Sequence, residues 1–319
     1  MSTIERVSVW VAAGLLGLLA GCSKAPSAKE SGHGKPRVAL IMKSLANEFF
    51  KTMEDGALAH QKAHAGQYDL LPNGIKDEQD ISRQIALVEQ MVAQKVDAIV
   101  IAPADSKALV PACKRAMDAG VVVVNIDNKF DDQTLKDMGV RIPFVGPDNR
   151  KGARRAGEYL AKKLKSGDAV AIVEGVPSAF NAIQRRQGFE DAMKTVGARI
   201  VSSQNANWTQ DQAEKIVTGM VTQHPDLKAV LCANDSMAQG AVAALKAAGK
   251  LPQVMVVGYD NITAIQQYMK EGKVLCTIDQ HADQIAVFGI EYALEILGKE
   301  TTPADKETAV DLVTAESLP

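Results

Sequence analysis

From residue 37 onward the chain alternates short β-branched apolar runs with segments of helical apolar spacing, and this alternation most limits the fold. The runs are Val38–Lys43, Tyr68–Asn73, Asp97–Ala102, Val121–Asp127, Pro143–Asp148, Ala169–Glu174, Ala198–Gln204, Ala229–Asn234, Val254–Asp260 and Val274–Gln280. Between them stand apolar residues three and four apart, such as Ile81, Ile85, Val88 and Val92. Near-continuous apolar strands separated by helices mean parallel sheets covered on both faces. Ten strands exceed a comfortable single open sheet, and 319 residues suit two domains. The expectation is α/β, with two doubly wound parallel-sheet lobes.

Polar side chains punctuate the ends of the runs: Lys43, Asn73, Asp127, Asp148, Glu174, Gln204, Asn234, Asp235, Asp260 and Gln280. Ligands of open parallel sheets bind outside the carboxyl ends of the strands, so a shared cleft could collect these groups. The competing reading is that each caps the next helix, which suits Asp148 and Asp235 but not Lys43 or Gln280.

Catalytic and cofactor signatures are missing. No Gly-x-Gly-x-x-Gly follows the first strand, and there is no Gly-x-x-x-x-Gly-Lys-Ser/Thr and no Gly-x-Ser-x-Gly. His60 and His64 stand four apart but lack the glutamate of a zinc protease, so no metal and no cofactor is expected. With 36 basic and 38 acidic residues, the chain has no cationic field for nucleic acid. Cys113, Cys232 and Cys276 sit among apolar or small neighbours and read as buried hydrophobes; a Cys232–Cys276 disulfide stays open.

The groups that do stand at strand ends suit a polyhydroxylated ring. Phe49 and Phe50 can stack on its apolar face while Lys43 and Asn47 bond its hydroxyls. Trp208 offers a second flat surface, and Arg185 a planar fork of donors. Asp127, Asn234, Asp260 and Gln280 add acceptors and amides.

The N-terminus carries an apolar run, Val7–Ala20, too short to span a bilayer comfortably. It ends in Leu19-Ala20-Gly21-Cys22, which resembles the lipobox of bacterial lipoproteins. The resemblance implies a signal peptide over 1–21, lipidation of Cys22 and a polar tether over 22–36.

Read together, Asn47-Glu48-Phe49-Phe50, Val124-Asn125-Ile126-Asp127-Asn128-Lys129, Arg185-x-x-Gly188-Phe189, Asn207-Trp208, Cys232-Ala233-Asn234-Asp235, Val257-Gly258-Tyr259-Asp260 and Thr277-Ile278-Asp279-Gln280 stand in a recognisable order. Over about residues 37–318 the chain resembles a type I periplasmic sugar-binding protein of ABC importers, in the ribose/allose/galactose group and closest to the allose-binding type. The resemblance implies two lobes joined by a three-crossover hinge, with crossings near Gly146, Gln280 and Asp311. One lobe would hold 37–146 with 281–311, the other 147–280 with 312–319. It implies a monosaccharide ligand held by Lys43, Asn47, Phe49, Phe50, Asp127, Asn128, Arg185, Trp208, Asn234, Asp260 and Gln280. It further implies an ABC importer permease as partner, a monomeric state, and a periplasmic or cell-surface location with a membrane lipid anchor. Other readings are a receptor for a polyol, inositol or furanone signal, a transcriptional repressor sharing the fold, or a sugar-processing enzyme.

Overall fold

The computed structural model describes residues 34–299 and 301–318; the expected signal peptide and Cys22 lie outside the described residues. Twelve strands form two six-stranded sheets among the described residues. The first holds β1 (Arg37–Ser44), β2 (Asp69–Ile75), β3 (Ala98–Ile101), β4 (Val122–Ile126), β5 (Phe144–Pro147) and β11 (Lys306–Thr308), in the order β11-β5-β4-β3-β1-β2. The second holds β6 (Ala169–Glu174), β7 (Arg199–Asn205), β8 (Leu227–Cys232), β9 (Met255–Val257), β10 (Cys276–Asp279) and β12 (Asp311–Thr314), in the order β12-β10-β9-β8-β6-β7. Each sheet thus runs through its first five strands in the 2-1-3-4-5 order of doubly wound folds. All pairings are parallel except that of β10 with β12.

Helices α1 (Glu48–Ala63), α2 (Ile81–Ala93), α3 (Val110–Asp118), α4 (Asp132–Asp137) and α10 (Ala282–Leu297) belong with the first sheet. Helices α5 (Asn149–Ala161), α6 (Phe180–Val196), α7 (Gln210–Gln223), α8 (Asp235–Ala247) and α9 (Thr263–Lys270) belong with the second. The chain passes between sheets at Asp148, at Gln280–His281 and at Ala309–Val310.

The central strands are dry, as their sequences require: Val38 to Ile41, Ala98 to Ile101 and Val170 to Val173 are each fully buried. Helix α1 turns Phe49, Phe50, Met53 and Ala57 inward along one stripe. Helices α5 and α6 approach closely because Gly188 carries no side chain: a Cβ there would lie 2.3 Å from the carbonyl oxygen of Arg150.

Two sequence expectations change, on the strand count and the cap of α8, and two open readings are closed. Strands β11 and β12 are too short to carry an apolar run of their own; β11 is Lys-Glu-Thr and largely exposed, held by pairing with β5 and by Lys306, which meets Glu295 at 3.0 Å and lies over the Tyr292 ring. The Cys232–Cys276 disulfide does not form. Both thiols are free and buried, on strands separated by β9. Two strand spacings of about 4.8 Å exceed the reach of a disulfide. His60 and His64 are paired elsewhere: His60 Nδ1 lies 2.9 Å from the Tyr68 hydroxyl, and His64 Nδ1 2.9 Å from the His60 carbonyl oxygen. Helix α8 is capped by Asn234, whose side chain accepts from Met237 N at 2.8 Å, and not by Asp235, which is buried beneath it.

Candidate ligand-binding site

Both sheets point their carboxyl ends at one small polar cavity of about 20 Å3. That is below the roughly 300–1,000 Å3 that holds a drug-sized molecule. From the first lobe, β1 delivers Lys43 at its end, the first turn of α1 delivers Phe49 and Phe50 with the cap Asn47, and the residue after β4 delivers Asp127. From the second, α6 delivers Asn181 and Arg185, the loop after β7 delivers Trp208, and the ends of β8 and β9 deliver Asn234 and Asp260. Gln280 stands at a crossover between them.

The aromatic rings form the apolar walls. Phe49 and Phe50 meet edge to face, with centroids 5.1 Å apart. Trp208 lies over Gly175, where a Cβ would come within 2.2 Å of the indole. Its φ of 68° is one that a bulky side chain rarely adopts, and the strain marks a residue held for a purpose. Asp127, at φ 60°, and Asp260, at φ 125°, share this left-handed backbone.

Two buried ion pairs frame the polar walls. Lys43 Nζ is 3.0 Å from Asp127 Oδ2, and Arg185 Nη1 is 3.4 Å from Asp260 Oδ1. Arg185 is also held by Asn149 Oδ1 at 2.8 Å and by the Ala233 carbonyl at 2.9 Å, with its guanidinium 3.8 Å from the Tyr259 ring centroid. It does not pair with Glu174, which is met by Arg186 instead. Gln280 donates to Asp260 Oδ1 at 2.6 Å. Burial lifts the Asp260 carboxyl well above the usual carboxylate range, against the pull of Arg185.

Three buried acceptors that line the cavity have no hydrogen bond: Asp127 Oδ2, Asn181 Oδ1 and Gln280 Oε1. The contact of Lys43 with Asp127 Oδ2 is ionic without hydrogen-bond alignment, so that oxygen can still accept. Buried acceptors in folded proteins are nearly always paired, and three facing one cavity call for a ligand rich in donors.

The structure brings ten of the eleven sequence-predicted ligand residues to this cavity. Asn128 is the exception. Its amide is consumed behind the wall, donating to the Pro103 carbonyl at 2.9 Å and accepting from Asn181 N at 3.1 Å. Two lining residues escaped the sequence. Asn181 precedes Arg185 by one helical turn, and that spacing could have revealed it. Glu78 lies in the loop after β2 and offers no such signal; it accepts from Asn47 Nδ2 at 3.2 Å, and burial raises its carboxyl above the ordinary range. Of the other strand-end groups, Asn73 turns to the Leu71 carbonyl and Asp148 caps α5 through Lys151 N.

Two lobes closing on one small polar cavity define a two-lobed solute-binding protein. The chain belongs to the periplasmic binding protein domain family, whose model matches residues 38–301. A D-ribose/D-allose-binding protein of Pseudomonas aeruginosa is 60% identical over 285 residues, covering 88% of this chain and 89% of the relative. The crystal structure of an ABC transporter solute-binding protein from Burkholderia multivorans, with an unknown ligand built as α-D-erythrofuranose, is 58% identical. Its TM-score is 0.86, covering 88% of this chain and all of that one. A periplasmic solute-binding protein from Actinobacillus succinogenes with bound D-allose is 36% identical at a TM-score of 0.84, covering 88% and 98%. These relatives are binding proteins of transport systems, not enzymes, and so is this chain.

Proposed function

We propose that the protein captures a neutral monosaccharide, allose-like in its pattern of hydroxyls, and presents it to the permease of an ABC importer. The observation that carries this reading is the set of three unpartnered acceptors, drawn from both lobes and the crossover, around a cavity walled by three aromatic rings. Hydroxyls supply the donors, and the apolar face of a sugar ring supplies the stacking surface. The ligand is neutral because each cation of the site already has a carboxylate partner. The P. aeruginosa relative's name and the D-allose of the A. succinogenes complex support the same reading.

The two lobes, one built on each sheet and divided at Asp148, Gln280–His281 and Ala309–Val310, act as rigid bodies that close on the sugar. The protein works as a monomer, tethered at the periplasmic or cell-surface side of a membrane through lipidated Cys22. The motif Leu19-Ala20-Gly21-Cys22 supports the anchor; Cys22→Ser should move the protein from the membrane fraction to the soluble one. A thermal-shift screen against pentoses, hexoses and polyols tests the ligand class. A ligand at about 100 times its Kd raises stability by about 2.7 kcal/mol, a shift of several degrees. D-Allose or a close epimer should give it; a polyol or inositol that shifts the midpoint while every aldose fails would replace the sugar reading.

A further inference from the structure

Helices α6 and α9 begin without a capping side chain of their own: their N-cap residues are Ala179 and Ile262. Other helices beside the cleft are capped from within their own lobe, as α1 is by Asn47 and α8 by Asn234. The first free N–H groups of α6 and α9 are satisfied instead from the opposite lobe. Phe180 N donates to Ser106 Oγ at 2.9 Å, and Asn181 N donates to Asn128 Oδ1 at 3.1 Å. Thr263 N donates to Glu48 Oε1 at 2.8 Å, placing a carboxylate at the positive end of α9. Ser106 and Asn128 are almost fully buried, and Asn128 is fixed in this orientation by its donation to the Pro103 carbonyl.

We infer that Ser106, Asn128 and Glu48 form an interlobe latch: the first lobe caps two helices of the second, and does so only when the lobes are closed. These are positioning residues. They touch no ligand, but α6 carries Asn181 and Arg185, so a capped α6 holds both side chains at the cavity. On opening, the same N–H groups turn to water and the capping contribution is lost. Closure is thereby favoured by contacts outside the cavity, and ligand affinity rises with the closed population. The proposal rests on the solute-binding reading above for its affinity readout alone.

The test uses Ser106→Ala and Asn128→Ala in the full chain, with D-allose and D-ribose as probes. Loss of a helix cap corresponds to about a three- to thirty-fold change in an equilibrium constant. Affinity for whichever sugar binds should fall by that factor through faster dissociation, with the ligand-free melting midpoint of Ser106→Ala unchanged. Hydrogen exchange gives the second readout: the amides of Phe180 and Asn181 should be protected by ligand in the wild type and lose that protection in both variants. Unchanged affinity and unchanged protection in Ser106→Ala would overturn the latch. So would an effect confined to Asn128→Ala and matched by a lower ligand-free midpoint, which reports damage to the first lobe. If neither sugar binds the wild type, the functional reading has failed. The latch is then judged on the closed fraction of the ligand-free protein, which alone caps α6: Ser106→Ala must speed exchange at Phe180 and Asn181, and no change there refutes it.

Discussion

Arg185 shows how one residue serves both stability and recognition. Its fork is spent on Asn149, Ala233 and Asp260 within its own lobe, and its plane rests on Tyr259. Removing it strands Asp260 as a buried carboxylate and orphans two acceptors. Breaking one side of a buried pair costs about 3–5 kcal/mol. Arg185→Ala should therefore lower the ligand-free melting midpoint as well as affinity. Urea unfolding of the variant checks this; a midpoint equal to wild type would contradict it. Asp235 gives a pH signature. Burial holds its carboxyl at about 7, well above the ordinary 3.8, in spite of donors from Ile262 N and the Thr277 hydroxyl. A raised folded-state value stabilises the fold below the unfolded value, and that stability is lost as pH rises through the folded one. Between about pH 4 and pH 7 the wild type should thus lose melting temperature relative to Asp235→Asn, whose amide oxygen can still accept from the Thr277 hydroxyl. A difference between the two that stays flat over that range would count against it.

At the scale of elements, the central parallel strands were legible because both their faces are covered and their runs are continuously apolar. β11 and β12 were not, since three or four residues on a sheet edge are too few to show a period. The cleft was legible through strand ends: Lys43, Asp127, Asn234, Asp260 and Gln280 each stand at or just after the carboxyl end of a strand and reach the cavity. Glu78 was not, because a loop residue has no periodic frame. Asn128 misled for the opposite reason, sharing a strand end with Asp127 while pointing behind it. The α5–α6 contact rests on Gly188, whose replacement by Ala would push a methyl into Arg150 O at 2.3 Å and the Arg154 N at 2.8 Å. Backbone cannot swing aside as a side chain can, so Gly188→Ala should cost about 1–3 kcal/mol, read by chemical denaturation. A neutral or stabilising result would mean that the two helices slide freely.

For the whole molecule, the proposed closing motion joins three crossovers, two sheets and one shared cavity. The closed form is favoured by ligand contacts inside the cavity and by helix caps outside it, so neither set alone fixes affinity. In the cavity Lys43 meets Asp127 and Arg185 meets Asp260, while burial favours the neutral form of Glu78, which is hydrogen-bonded to Asn47. Such a site favours a neutral, donor-rich ligand over an anion or cation. The most direct measurement is calorimetric titration of D-allose into the wild type and into Asp127→Ala. The account predicts saturable one-to-one binding by the wild type and an affinity at least about ten-fold weaker in the variant, since it loses an acceptor for a ligand hydroxyl and leaves Lys43 buried without its partner. Equal affinities in the two proteins, or binding that does not saturate near one sugar per chain, would contradict it.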